Sequence, residues 1–177
     1  MVPSLAATGW FDADFPGAPM NYLAMKQHGA NADARRPRMV IGPWQHIINT
    51  SRKLGTFDYG EQAIIDWDGY VCRWFDHWLK GEDTGILEEP RFAVFVRNWH
   101  PPGPKLEHAP GSWRYEDGWP IARIRDKVLY PQDNHTLAGG RPAAATHQLR
   151  YLPSIGFEAG GPVMWWGDVA HDQRGTD

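Results

Sequence analysis

Two residues with complementary acid–base chemistry follow short apolar segments of the sequence. Asp12 comes after residues 2–9, and His46 comes after residues 39–43. A carboxylate that accepts the Nδ1 proton of an imidazole fixes the tautomer of the ring. It also stabilises the imidazolium that forms when the other nitrogen takes a proton from a nucleophile. The pair is therefore a candidate for general acid–base chemistry.

A strand–helix–strand unit is predicted to position this pair. The apolar runs at residues 2–8 and 39–41 are typical of short buried strands, and residues 20–28 have the spacing of a short helix. This order is a βαβ unit with parallel strands, and the carboxyl ends of parallel strands lie at one edge of a sheet. Asp12 and His46 are therefore expected to project from the same edge.

Both residue types also have commoner structural roles, which spacing alone leaves open. An aspartate in a loop after a strand is most often a turn former or a helix cap. One histidine among the eight in this chain is most often solvated or packed.

The remaining pattern predicts an α/β fold followed by an all-β region. Residues 64–80 carry apolar side chains at helical spacing, and Gly81 is suited to end that helix. From Pro90 onward, short β-prone segments alternate with turns, which is typical of a β-sandwich or jelly roll. We place the domain boundary near residue 88. The second domain is expected to be incomplete, because only four or five strand candidates fit where a jelly roll needs about eight.

Composition excludes several classes of function. The formal net charge is -3 and the basic residues are scattered, so nucleic acid is not an expected partner. No apolar run is long enough for a membrane-spanning helix, so no membrane association is predicted. A single cysteine, Cys72, allows no disulfide within the chain and no paired-cysteine metal site. We expect neither a metal nor a cofactor.

Three motifs carry a resemblance to a known family. The segments Gly9-Trp10-Phe11-Asp12, Gly42-Pro43-Trp44-Gln45-His46 and residues 74–81 closely resemble the family of X-Pro dipeptidyl-peptidases, cocaine esterase, glutaryl acylases and α-amino acid ester hydrolases. The resemblance implies that Asp12 and His46 are the catalytic acid and histidine of a Ser-His-Asp triad. It also implies that residues 1–88 are the C-terminal part of an α/β-hydrolase domain and residues 89–177 the N-terminal part of a jelly roll. Residues 119–120 and 172–174 resemble further landmarks of that domain.

The sequence departs from the family at the nucleophile. Its serines are Ser4, Ser51, Ser112 and Ser154, and none lies in the G-x-S-x-G turn that this chemistry requires. Cys72 follows both triad candidates within a predicted helix, so it is a poor substitute. We therefore expect the chain to be a fragment, with the serine and oxyanion hole outside it. The isolated chain is predicted to have no measurable hydrolase activity.

Asp14 is a candidate substrate-binding residue. The α-amino acid ester hydrolases resemble this chain in carrying an acidic residue two positions after the triad aspartate, where it helps to bind the α-ammonium group of the substrate. The alternative is a solvated loop aspartate or a cap of the following helix. The expected partner is a small-molecule ester, amide or short peptide, and a homo-oligomer is possible. The compartment stays open.

A second class of function is a non-catalytic binding protein with an aromatic-rich β domain. It would be favoured if Trp99, Trp113, Trp165 and Trp166 formed one solvent-facing platform, because large exposed apolar patches mark interaction sites.

Overall fold

The computed structural model describes residues 2–54, 57–101, 107–132, 136–144, 146 and 148. Its regular elements are the strands and helices that follow, in chain order: β1 (Leu5–Gly9), α1 (Gly17–His28), β2 (Arg38–Gly42), β3 (Lys53–Leu54), β4 (Phe57–Asp58), α2 (Trp67–Phe75), β5 (Phe92–Arg97), β6 (Gly111–Glu116), β7 (Tyr130–Pro131) and β8 (Leu137–Ala138). Short 3-10 turns at Glu61–Ala63 and Ile86–Glu88 and a π-helical turn at Asp76–Lys80 complete the set.

The principal sheet has the strand order β1-β2-β5-β6. Strands β1, β2 and β5 are parallel, and β6 returns antiparallel to β5. All five residues of β2 are buried, as expected for a central parallel strand covered on both faces. Helix α1 connects β1 to β2, so the structure contains the predicted βαβ unit. The carboxyl ends of β1, β2 and β5 consequently lie at one edge of the sheet.

Strand β5 belongs to the same sheet as β1 and β2. The sequence predicted residues 91–96 as the start of a separate β domain, yet Met39 to Ile41 of β2 pair with Phe92 to Val94 of β5. The sheet therefore runs across residue 88, because the segment containing α2 acts as a second crossover connection. Alternating hydrophobicity identifies a strand but not the sheet that it joins. The division into two domains stays a prediction.

The start of β2 is fixed by a buried arginine. Arg38 is 2% exposed and donates to the backbone carbonyls of Ile86, Glu89 and Pro90. Its guanidinium also lies 5.9 Å from the ring centroid of Trp74 in α2. Carbonyl oxygens are suitable partners for a buried cation, since they compensate the loss of hydration. Arg38 thus ties β2 to the segment that leads into β5.

Helix α2 is shorter than the predicted helix at residues 64–80. The Asp66 side chain accepts from the backbone N–H of Gly69 at 3.0 Å and caps the start, and Gly81 ends the π-helical turn at φ 75°. Trp74 is buried, but Phe75 is 46% and Leu79 68% exposed. Phe75 is one residue after Trp74 and so points about 100° away from it around the helix.

Two apolar clusters fill the space on either side of the principal sheet. Alternate residues of β5 face opposite sides, so Val94 belongs to one cluster and Phe95 to the other. The first contains Tyr22, Met39, Ile41, Phe92, Val94 and Ile121, and the second contains Leu54, Tyr59, Ala63, Phe95 and Ala109. Within the described residues, no helix has the length and apolar character to cross a membrane.

Beyond β6, the described chain contains one small antiparallel pair, β7 with β8. Residues 149–177, which belong to the β-prone region predicted after Pro90 and include residues 172–174, fall outside the described residues. The α/β-hydrolase assignment and the incomplete jelly roll therefore stay predictions.

Candidate acid–base site

Backbone hydrogen bonds continue the pairing of β1 and β2 into the loops that follow them. The N–H of Trp10 donates to the carbonyl of Gly42 at 2.9 Å, and the N–H of Phe11 donates to the carbonyl of Trp44 at 3.0 Å. The N–H of Asp12 then returns to the carbonyl of Gly9 at 3.1 Å and closes a turn. The two loops are thereby held side by side at the carboxyl edge of the sheet.

Asp12 and His46 meet at this edge, as the βαβ prediction requires. Nδ1 of His46 lies 3.0 Å from Oδ1 of Asp12, a hydrogen-bond distance. The side chain of Asp12 is 9% exposed and that of His46 is 38% exposed. A shielded acid beside a more accessible imidazole is the arrangement in which the carboxylate orients the ring and the ring exchanges protons.

Two further donors hold the Asp12 carboxylate. The backbone N–H of Asp14 donates to Oδ1 at 2.9 Å, and Oγ1 of Thr8 donates to Oδ2 at 3.1 Å. Thr8 is 2% exposed. Thr8 was not among the site residues predicted from the sequence, although its hydroxyl lies near the end of an apolar strand, four residues before Asp12. Both carboxylate oxygens therefore have fixed directions.

The electrostatics favour the ion-paired form of the two side chains. Burial raises the pKa of Asp12, but the hydrogen bonds from the Asp14 N–H, His46 and Thr8 together outweigh it and hold that pKa below its ordinary value of 3.8. The hydrogen bond to Asp12 raises the pKa of His46 above its ordinary value of 6.5, against partial desolvation. The negative charges of Asp12 and Asp14 raise it further.

The glycines of the two motifs make room for Trp44. A Cβ on Gly9 would lie 2.0 Å from the Trp44 carbonyl oxygen, and one on Gly42 would lie 2.2 Å from the Trp44 ring. Trp44 is 1% exposed, and its indole N–H donates to the carbonyl of Ala63 at 2.8 Å. Because Trp44 is two residues before His46, this packing fixes the base of the His46 loop.

Asp14 lies beside the imidazole. Its side chain is 78% exposed, and Oδ2 is 3.6 Å from Nδ1 of His46. Helix α1 has Pro16 at its N-cap and no side-chain capping hydrogen bond, so Asp14 does not cap it through its carboxylate. Asp14 is therefore a solvated carboxylate beside the candidate base, and its role in substrate binding stays a prediction.

Asp12, Asp14 and His46 also form a group of side chains that could hold a metal ion. One ligand atom from each can be chosen so that all lie within 4.8 Å of one another. In the structure, however, Nδ1 of His46 is directed at Asp12, and the Asp12 oxygens accept from Thr8 and the Asp14 N–H. These contacts suit an acid–base pair, so we assign no metal role to the three residues.

The described tryptophans of the predicted platform differ in burial. Trp99 is 84% exposed, whereas Trp113 packs with its ring centroid 5.6 Å from that of Phe95 and 5.7 Å from that of Trp44. Trp165 and Trp166 lie outside the described residues. Trp113 therefore contributes to packing, which does not favour the binding-platform alternative. Cys72 is exposed on α2.

Comparison with known proteins gives relatives at low identity. No protein-family model matches the chain. A protein named "Putative serine esterase Mb1866c" from Mycobacterium bovis is 28% identical over 118 residues, which is 64% of this chain and 15% of that protein. "Cocaine esterase" from a Rhodococcus species is 29% identical over 126 residues, which is 67% of this chain and 18% of that protein.

All three of these relatives carry the name of an esterase. A matching protein named "Putative serine esterase MT1883" from Mycobacterium tuberculosis has the same identity and coverage as its M. bovis counterpart. The chain spans less than a fifth of the length of the relatives that it matches.

Proposed function

We propose that this chain supplies the acid and the general base of a serine hydrolase of the X-Pro dipeptidyl-peptidase and cocaine esterase type. Asp12 is the acid and His46 is the base. The observation that carries the proposal is the 3.0 Å contact between Nδ1 of His46 and Oδ1 of Asp12 at the carboxyl edge of a parallel sheet. The esterase names of the relatives support the same chemistry.

The proposed reaction is acyl transfer to a serine. With Nδ1–H donating to Asp12, Nε2 of His46 takes the proton of the serine hydroxyl as its oxygen attacks the carbonyl carbon. The imidazolium then protonates the leaving alcohol or amine as the tetrahedral intermediate collapses to an acyl-enzyme. Water, deprotonated by His46, releases the acid and regenerates the serine.

The nucleophile in this proposal lies outside these 177 residues. No serine of the chain stands in a G-x-S-x-G turn, and the oxyanion hole of such enzymes is built from the residue after the nucleophile and an earlier loop. The chain is then the acid–base part of a longer hydrolase. Its proposed substrates are small-molecule esters. The family resemblance implies that amides and short peptides could also be substrates.

The decisive experiment compares the 177-residue chain with a polypeptide that also contains the serine. The chain alone is expected to leave 4-nitrophenyl acetate unhydrolysed. Turnover by the chain alone that disappears in His46→Ala would contradict the proposal that the serine lies outside it. In the longer polypeptide, His46→Ala and Asp12→Asn should each lower kcat by a factor on the order of 10³–10⁴. The control is Asp33→Asn, an exposed loop aspartate, which should leave kcat unchanged. Retention of activity in His46→Ala would refute the assignment.

We also propose that Asp14 binds a cationic group of the substrate, such as an α-ammonium group. Its exposed carboxylate beside His46 could accept charge-assisted hydrogen bonds from such a cation. In the longer polypeptide, Asp14→Asn should raise KM for amino-acyl esters more than for the corresponding esters without an amino group. Equal losses on both substrates would show that Asp14 does not recognise the cation.

A further inference from the structure

Two side chains of the His46 loop, one on each side of His46, bind the backbone of a single short segment. The indole N–H of Trp44 donates to the carbonyl of Ala63 at 2.8 Å. Asn49, three residues after His46, binds the backbone of Ile65. The segment is itself held in place, since it lies between a 3-10 turn and the cap of α2. The loop that carries the candidate base is therefore anchored at both of its ends.

The anchor at the far end of the loop is the amide of Asn49. Its Nδ2 donates to the carbonyl of Ile65 at 2.9 Å, and its Oδ1 accepts from the N–H of Ile65 at 2.9 Å. A primary amide has both a donor and an acceptor, so one side chain can bind both backbone groups of one residue. Two hydrogen bonds from the same amide fix its orientation as well as its position.

The backbone of Asn49 has an unusual conformation. Its φ is 57°, and among the described residues it is the one position other than glycine with a positive φ. Asparagine is one of the few residue types that adopt this left-handed region at small cost. The turn is also closed by Thr50, whose Oγ1 donates to the carbonyl of Ile47 at 3.0 Å. Both the backbone and the amide at this position thus suit asparagine.

The Asp12 carboxylate is held independently of this loop. Its two further hydrogen bonds come from Thr8 and from the backbone N–H of Asp14, which both belong to the β1 side of the site. The contact between Nδ1 of His46 and Oδ1 of Asp12 therefore depends on where the His46 loop places the ring. A shift of the loop by about 1 Å would take this 3.0 Å contact out of hydrogen-bond reach.

We propose that Asn49 is a positioning residue, which holds the imidazole of His46 against Asp12 and thereby sets the rate of proton transfer in the hydrolase. It acts through the backbone of the loop and through the two hydrogen bonds to Ile65. The catalytic consequence rests on the proposed function. The effect on the acid–base pair does not, because it can be measured in a chain without a nucleophile.

The first test is an NMR titration of the 177-residue chain. Asn49→Gly removes both hydrogen bonds but leaves a positive φ accessible. It also leaves unchanged Asp12 and Asp14, the charged groups that face His46. The imidazole Cε1–H signal of His46 is identified by its absence from His46→Gln. We expect a pKa of His46 above 6.5 in the wild-type chain, which moves down toward 6.5 in Asn49→Gly as the contact with Asp12 lengthens.

The matched control is Asn31→Gly. The Oδ1 of Asn31 accepts from the backbone N–H of Ala34 at 2.8 Å, in the loop before β2 and so at the opposite edge of the sheet. This variant should lower the free energy of unfolding without moving the pKa of His46. If Asn49→Gly likewise lowered the free energy of unfolding and left that pKa in place, Asn49 would only stabilise its turn, and the proposal would be overturned.

The second test uses the polypeptide that contains the serine. Asn49→Gly should lower kcat about tenfold or more at unchanged KM, because a misplaced base slows proton transfer and not substrate binding. Asn49→Asp keeps the acceptor for the Ile65 N–H and loses the donor, so its kcat should lie between those of the wild type and Asn49→Gly. Should Asn49→Gly fail to fold, a wild-type kcat in Asn49→Asp would overturn the proposal.

The two tests separate this inference from the proposed function. A lowered pKa of His46 in Asn49→Gly, together with a wild-type polypeptide that hydrolyses no ester, would sustain the positioning role and count against the hydrolase. Hydrolysis that requires His46 and proceeds with the same kcat in Asn49→Gly would sustain the hydrolase and overturn the role of Asn49.

Discussion

Replacement of Thr8 by valine would isolate one hydrogen bond of the Asp12 carboxylate. Valine has nearly the shape of threonine, and Thr8 is 2% exposed, so the substitution exchanges a buried hydroxyl for a methyl group. The contact that is lost is the 3.1 Å hydrogen bond from Oγ1 to Oδ2 of Asp12. The experiment needs no nucleophile and can be performed on this chain.

The magnitude follows from the charge of the acceptor. A hydrogen bond to a charged group contributes about 1.5–3 kcal/mol, and the added buried methyl group returns about 0.8 kcal/mol. Thr8→Val should therefore lower the free energy of unfolding by about 1–2 kcal/mol near pH 6. With Asp12 protonated, the hydrogen bond is between neutral groups and contributes about 0.5–1.5 kcal/mol, so the net cost falls to about 0–1 kcal/mol.

The pH dependence has a definite sign. The pKa of Asp12 in the folded chain lies below its ordinary value of 3.8, so the hydrogen bonds to its carboxylate contribute fully above about pH 3.8. Their contribution is lost as the pH falls through the folded pKa. The cost of Thr8→Val should therefore be larger at pH 6 than at pH 3.

Urea unfolding followed by tryptophan fluorescence measures this difference. The matched control is Thr50→Val, because Thr50 is exposed and its Oγ1 donates to the backbone carbonyl of Ile47 at 3.0 Å, an acceptor that does not titrate. The control should have a cost that is independent of pH. An equal cost of Thr8→Val at both pH values would refute the argument that Thr8 acts on a charged carboxylate.

Three further predictions follow from contacts in and beside the site. In the serine-containing polypeptide, kcat/KM should fall as the pH drops through a pKa above 6.5, because His46 must be neutral to act as a base. Asp12→Asn should move this acidic limb of the pH profile down toward 6.5. An acidic limb that stays in place would contradict the pairing of Asp12 with His46. Tyr59→Phe should raise the free energy of unfolding by about 1 kcal/mol in a urea titration, since the buried hydroxyl has no hydrogen-bond partner in the described structure. A lower free energy of unfolding in Tyr59→Phe would contradict this expectation. Gly9→Ala should cost about 1–3 kcal/mol by the same method, because its Cβ would lie 2.0 Å from the Trp44 carbonyl oxygen, and a neutral effect would mean that this contact relaxes easily.

Local sequence was sufficient to predict that Asp12 and His46 lie at the same edge of the sheet. The apolar runs before Asp12 and His46 and the helical spacing between them predicted the βαβ unit, and parallel pairing then required the two side chains to share an edge. Gly81 likewise ends the π-helical turn that follows α2, as predicted from its place after the apolar stripe. These features depend on backbone rules that act over short distances.

The parts that were missed depend on contacts between distant segments. Strand β5 was recognised as a strand, but its pairing with β2 across about 50 residues has no local signal. Thr8 was overlooked for a different reason, since within an apolar run a threonine is compatible with strand propensity alone.

The geometry of the acid–base pair is determined within a short part of the chain. Backbone hydrogen bonds from Trp10 and Phe11 hold one loop against the other, and Trp44 fills the space that Gly9 leaves between them. None of these contacts involves a nucleophilic serine, because no serine of the sequence lies in a G-x-S-x-G turn. The pair is therefore preorganised by the sheet rather than by the serine, and orientation that precedes the reaction lowers the cost of reaching the transition state. For a hydrolase of this design, an Asp12–His46 hydrogen bond should be as well formed in the isolated chain as in a polypeptide that also contains the serine.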